Sequence, residues 1–455
     1  MLYDDLPAAF RALEGGWLAA FRAMPNGFRR PLTQLLFEAC EHGPPWLVHA
    51  LPLALHAAVA LLTAWVARSG FGLGARAAGL AGVLMLLHAG GWAVPFFLAN
   101  SGDAFVAAAA LLVFQAAPRA LGGKDPGALA ILWLGAMLGM LGKESAVVLP
   151  GVAALACAFA RVRPRDGQGW AWAAALLAAH LIFLGFVVLN IKGAEASYAG
   201  DGRLSLRPLS WVRSAADYAI CSLWPFTHLI QPSGMDFRVP HSGLWAARLL
   251  QLGVFAALAV RAVKLRRFEA PAALASMVLL MVLPSVVVAG PPESRYLYPA
   301  LPFACLGGAM AARRVLQWAR GRTGGAGRVA MAAGAAGAVL VCLHVAALAT
   351  SPVLSSLRGD RRRVAAFMRD LAAEADRVPA NAHLVVAGHP HPEAGAHTWA
   401  YRQMTLWLAA PDARWAYAGD DPRAPGAWVA RCAEDGAIVS IEPPAPHSLA
   451  PALAP

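Results

Sequence analysis

The sequence predicts an all-α polytopic transmembrane bundle with a small C-terminal α/β appendage, and three observations carry that expectation. Of the 455 residues 58% are hydrophobic and only 14% charged, against roughly 25% charged in an ordinary soluble domain. Apolar stretches approaching the length of a membrane-crossing helix recur from residue 46 to residue 350. Between them the basic residues gather in short clusters: Arg68/Arg76, Arg119/Lys124, Arg161/Arg163/Arg165, Arg261/Lys264/Arg266/Arg267 and the group from Arg313 to Arg328. The positive-inside bias marks these connections as cytoplasmic. The alternate connections carry Asp4-Asp5, Asn100 to Asp103, Gly142-Lys143-Glu144, Lys192 to Arg213 and Glu293-Ser294-Arg295-Tyr296, and are expected to face outward. A net charge of +12 is then a set of topological anchors rather than a nucleic-acid surface.

Taken in order, residues 1–45 are expected to form an outer loop. Leu13, Trp17, Leu18, Phe21 and Met24 alternate there with Arg11, Glu14 and Arg22, the pattern of a helix lying on the membrane surface. If Arg68 and Arg76 are inside, the first span runs inward, and a further apolar helix is expected upstream of Met1. Ten crossings are placed at 46–67, 77–98, 103–118, 128–141, 145–160, 170–190, 244–260, 271–289, 296–312 and 329–350. The apolar stretch from Trp211 to Ile230 is broken by Asp217, Pro225 and His228. It reads as a re-entrant or interfacial segment near 211–230, since a full crossing would put the basic run after residue 260 outside. Both termini are therefore outside.

From residue 351 the patterning changes to a soluble extracytoplasmic unit. Helical periodicity covers Asp360 to Asp376, a strand is expected at Leu384-Val385-Val386-Ala387, and a flexible alanine- and proline-rich tail follows Pro443. His389, His391 and His397 stand beside Glu393 in a proline-containing loop rather than on one helix face, so they read as exposed or structural rather than as metal ligands. The six cysteines show no paired spacing and read as small buried hydrophobes.

Certain outer-loop residues form a recognisable series. Tyr3-Asp4-Asp5 is followed by Phe28-Arg29-Arg30-Pro31-Leu32-Thr33, then by Val48-His49 and Leu55-His56. Leu141-Gly142-Lys143-Glu144-Ser145 precedes Leu149-Pro150, and Glu293-Ser294-Arg295-Tyr296-Leu297-Tyr298 precedes Pro299 and Pro302. In order and sidedness this series resembles GT-C fold membrane glycosyltransferases related to protein O-mannosyltransferases, over most of residues 1–350. The resemblance implies a bundle of GT-C type in a bacterial inner membrane. It also implies inverting transfer of a sugar from a polyprenyl-phosphate donor to an extracytoplasmic acceptor on the periplasmic face. One departure stands out: where related enzymes carry a second acid, this chain has Ala93-Val94-Pro95 and then Asp103.

The chemistry assigns roles within that series. A base must take the acceptor hydroxyl proton, and Asp5, with Asp4 beside it, is the candidate; the alternative is an N-cap for the helix that follows. Asp103 suits acceptor orientation, a cation, or the cap of its own helix. No cofactor is indicated, and a divalent cation is left open. Arg295, Lys143, Arg29 and Arg30 are candidates to bind the donor phosphate, whose charge grows as the glycosidic bond breaks. Glu144, Glu293, Tyr296, Tyr298, His49 and His56 are expected to line the cavity, with alternatives for each: Lys143 pairing with Glu144, Arg295 pairing with Glu293, the tyrosines joining an aromatic belt, and the histidines hydrogen-bonding between helices. The competing classes are a transporter or flippase, with paired charges near the bilayer midplane, and a non-catalytic relative.

Overall fold

Apolar runs close their backbone hydrogen bonds internally most simply as helices, and helices dominate. The computed structural model describes residues 30–41, 44, 46–88, 91, 93–96, 98–123, 125–162, 167–192, 207–223, 232–233, 236–237, 253, 260, 269–286, 294–320, 363, 366–374, 376–387, 416–419, 427–433 and 437–444. The helices are α1 (Pro31–Glu41), α2 (Leu47–Ser69), α3 (Ala75–Leu87), α4 (Ser101–Gly122), α5 (Pro126–Gly142), α6 (Leu149–Ala160), α7 (Gly167–Lys192), α8 (Pro208–Leu223), α9 (Ala270–Val286) and α10 (Leu301–Arg320), with short helical turns between some of them. Among the described residues, three segments are long and apolar enough to cross a membrane: His49–Ser69, Ser101–Gly122 and Gly167–Gly185. Ala75–Leu87, Pro126–Gly142, Glu144–Ala160 and Ala270–Val286 are shorter apolar helices.

Local chemistry sets several helix ends. At α5 the Asp125 carboxylate accepts from the Ala128 N–H at 3.0 Å, and Pro126 occupies the first position, where no donor is needed. After α2 the chain turns through Gly72, whose φ of +62° is easy only for glycine. The expectation of one helix over 77–98 is corrected: α3 stops at Leu87, and Ala93–Phe96 and Leu98–Asn100 form separate turns. Gly90, Gly91 and Pro95 interrupt the run at a helix-breaking cost that hydropathy does not register. Of the expected re-entrant segment, α8 covers 208–223 and the remainder lies outside the described residues, as do the expected spans at 244–260, apart from two isolated positions, and 329–350.

The hub of the larger unit, Arg11–Pro352, is α4, the most enclosed of the three long helices. It packs on α5, α6 and α2. The α4–α5 contact is close because α5 offers glycines: a Cβ on Gly135 would stand 3.2 Å from Ala109 O, and one on Gly142 2.6 Å from Phe105 Cβ. Such close approach supplies van der Waals contact that holds apolar helices together. Farther along α4, Phe114 stacks on Phe71 with centroids 5.3 Å apart, lies 6.1 Å from Phe159 and meets Phe303 edge-on at 5.9 Å.

The smaller unit, built on Val353–Pro455, contains a four-stranded sheet. In the order β4–β3–β5–β6, β3 (His383–Ala387) runs parallel to β4 (Ala416–Gly419) and β5 (Trp428–Cys432), and β6 (Ile438–Glu442) is antiparallel to β5. Two short strands, β1 (Pro232–Ser233) and β2 (Asp236–Phe237), pair separately in the larger unit. One face of the four-stranded sheet, with Leu384, Val386 and Ala430, packs on Phe367 and Leu371 of the helical segment 366–373.

Candidate functional site

At the end of the bundle opposite the phenylalanine cluster, four charged side chains meet from separate segments. Arg30 stands just before α1, Asp103 lies in the first turn of α4, and Lys143 and Glu144 link α5 to a 3-10 turn at Glu144–Val148. Lys143 has extended backbone, φ −163° and ψ 150°, and successive side chains leave extended backbone on opposite sides. Lys143 therefore turns one way and Glu144 the other.

Lys143 Nζ donates to both Asp103 oxygens, at 2.7 and 2.8 Å, with side-chain exposures of only 4% and 2%. The Tyr296 ring centroid lies 5.0 Å from the same ammonium. Glu144 accepts from Arg30 through two bonds, Nη2 to Oε1 at 2.6 Å and Nε to Oε2 at 3.0 Å, in a pair left 16% and 20% exposed. The two pairs differ in energetic kind. Breaking a fully buried pair strands an uncompensated charge at about 3–5 kcal/mol, whereas a pair that keeps some contact with solvent costs less, down to the order of 1 kcal/mol for an exposed one.

Gly102 makes the buried pair possible. A Cβ there would lie 2.8 Å from Gly142 O, 3.3 Å from Thr33 Oγ1 and 3.4 Å from Lys143 Cβ. Thus α1, α4 and the end of α5 converge on a point where no side chain fits. Among the described residues four buried side-chain polar atoms have no hydrogen-bond partner, and three are hydroxyls of these same segments: Thr33, Ser101 and Ser145. Unpaired buried hydroxyls are costly and call for a polar partner.

Beside the ion pairs, His56 of α2 lies 2.8 Å through Nδ1 from the Tyr298 hydroxyl and 3.1 Å through Nε2 from Leu86 O. A carbonyl only accepts, so in the neutral ring Nε2 carries the hydrogen and Nδ1 accepts from the phenol. Tyr298 is fully buried and His56 nearly so.

The structure thus gathers Arg30, Asp103, Lys143, Glu144, Tyr296, Tyr298 and His56 at one end of the larger unit. His49 lies exposed near the start of α2, apart from buried His56. Arg295 belongs to the helical turn Ser294–Leu297, its side chain outside the described set; Asp4, Asp5, Arg29 and Glu293 also lie outside the described residues. The alternative in which Lys143 pairs with Glu144 gives way to two longer-range pairs, Lys143 with Asp103 and Arg30 with Glu144. Lys143 Nζ takes the face of Asp103 that a cation would need, and among the described residues no group of three or more His, Cys, Asp or Glu side chains could hold a metal ion. Sequence reasoning missed Gly102 and Ser101 as parts of this end of the bundle. The signal available was two acids and two bases at the ends of strongly apolar helices, where each charge requires a partner.

No protein-family model, curated protein or solved structure matches the chain.

Proposed function

We propose that the chain is a multi-pass membrane glycosyltransferase of GT-C type in a bacterial inner membrane. It transfers a sugar from a polyprenyl-phosphate donor to an acceptor on the periplasmic face. The observation that carries this reading is the meeting of Arg30, Asp103, Lys143 and Glu144 at one end of an apolar bundle. Charges are expensive there and are retained for work. The pairs sit at helix ends, Asp103 in a first turn and Lys143 just past a last one, which favours a site reached from one side over a transporter's mid-membrane pair. The unpartnered hydroxyls nearby suit a polyhydroxylated ligand.

In this reading Asp5, with Asp4 beside it, takes the acceptor proton, and Arg30 with Arg295 stabilises charge on the departing phosphate. Asp103 and Lys143 hold the framework. The test is transfer from radiolabelled polyprenyl-phosphate sugars by the full chain in lipid nanodiscs. Asp5→Asn or Asp4→Asn is expected to lower the rate by on the order of 10²-fold or more while the protein still folds. Full activity in both variants would remove the assigned base. Uptake of a soluble substrate into vesicles without product would favour a transporter.

A further inference from the structure

The two described cations at the site hold their carboxylates on different terms. Lys143 and Asp103 are sealed from water, each carboxylate oxygen taken, with the Tyr296 ring beside the ammonium. An anionic ligand taking Lys143 would strip Asp103 of the ammonium that holds both its oxygens, in a site closed to water, at the cost of breaking a buried pair. Arg30 and Glu144 keep part of their surface in solvent. A carboxylate released from Arg30 can be taken up by water, and the planar guanidinium fork donates to two oxygens of a phosphate as readily as to two of a carboxylate.

Resting on the lipid-phosphate donor of the proposed function, we infer that the Arg30–Glu144 pair is an anion-exchange site. The donor phosphate displaces the Glu144 carboxylate from Arg30, so Glu144 is a built-in competitor that sets donor affinity. Lys143 takes no part in holding the donor. The neighbouring residues of one dipeptide are thereby divided: Lys143 anchors it in the bundle and Glu144 swings between Arg30 and solvent. No covalent bond changes, and charge is conserved because one anion replaces another at the guanidinium.

The inference reverses the usual expectation for removing an ion-pair partner. If Glu144 merely oriented Arg30, Glu144→Gln would weaken phosphate binding; as a competitor, its loss strengthens it. Binding of radiolabelled polyprenyl phosphate to the full chain in phosphatidylcholine nanodiscs reads the difference, with uncharged polyprenol as control. Glu144→Gln is expected to tighten binding about two- to fivefold, the scale of a partly exposed ion pair. Arg30→Gln is expected to weaken it, and the double variant to match Arg30→Gln alone. Glu144→Asp, whose shorter arm loosens the two-bond pairing without removing the charge, is expected to fall between wild type and Glu144→Gln, and carries the test if the neutral variant does not fold. Unchanged or weaker binding in the Glu144 variants, with Arg30→Gln still weakened, overturns the exchange and leaves the glycosyltransferase reading standing. Wild-type protein that does not distinguish polyprenyl phosphate from polyprenol overturns that reading and the inference with it. Equal displacement by phosphatidylglycerol would identify a general headgroup site and overturn the donor assignment.

Discussion

The start and the middle of α4 hold the same helix by opposite means. Around Phe114, aromatic rings from Phe71, Phe159 and Phe303 fill space by contact alone. Around Asp103, roughly three turns away, a single ammonium occupies both carboxylate oxygens in a site closed to water. Contact energy is graded, and a slightly smaller ring loses part of it. A buried ion pair is closer to all-or-none, because loss of either member leaves the other charge without compensation. The phenylalanine-lined middle therefore tolerates variation, and the ion-paired start specifies which segments must meet.

Substitutions can break that contrast, beginning with the largest expected effect. Lys143→Met is expected to destabilise the protein by about 3–5 kcal/mol in reversible denaturant unfolding from detergent micelles, and Asp103→Asn with Lys143→Met to recover most of the loss. Failure to recover would show that the charges act independently. A smaller effect is expected from Gly102→Ala, about 1–3 kcal/mol, since the added methyl meets Gly142 O rather than a yielding side chain. Gly79→Ala on α3, where nothing lies within 4 Å, should be neutral or stabilise by up to about 1 kcal/mol. Similar losses at both glycines would deny the close approach its special role. The smallest effect belongs to the aromatic middle: Phe114→Leu is expected to cost about 1 kcal/mol without altering polyprenyl-phosphate binding. A loss as large as that of Lys143→Met would erase the distinction.

The helices were legible where length and polarity changed together. Arg68 after one apolar run and Asp125-Pro126 before another mark ends that the structure places within a few residues. The end of α3 was not legible, because the sequence stays apolar over 89–99 and hydropathy cannot distinguish one continuing helix from the separate turns at Ala93–Phe96 and Leu98–Asn100. At the site, Arg30, Asp103, Lys143 and Glu144 were each conspicuous as charges in apolar surroundings. Their partners were not: Arg30 finds Glu144 across 114 positions and Lys143 finds Asp103 across 40. That choice depends on how closely α4 and α5 approach, and so on Gly102 and Gly142, which carry no chemistry of their own.

One contact of His56 reaches beyond the polar cluster. Leu86 supplies one of the last four carbonyls of α3, groups that a helix cannot satisfy from within, and the donor that reaches it comes from α2. The end of α3 is thus capped partly in trans: the His88 N–H reaches Met85 O from within the chain, and a neighbouring helix takes the next carbonyl, that of Leu86. The depth at which α2 sits against α3 then governs where α3 ends and where the chain toward Asp103 begins. A lengthwise slip of α2 by one helical turn would move that cap by about 5.4 Å and unseal the terminus.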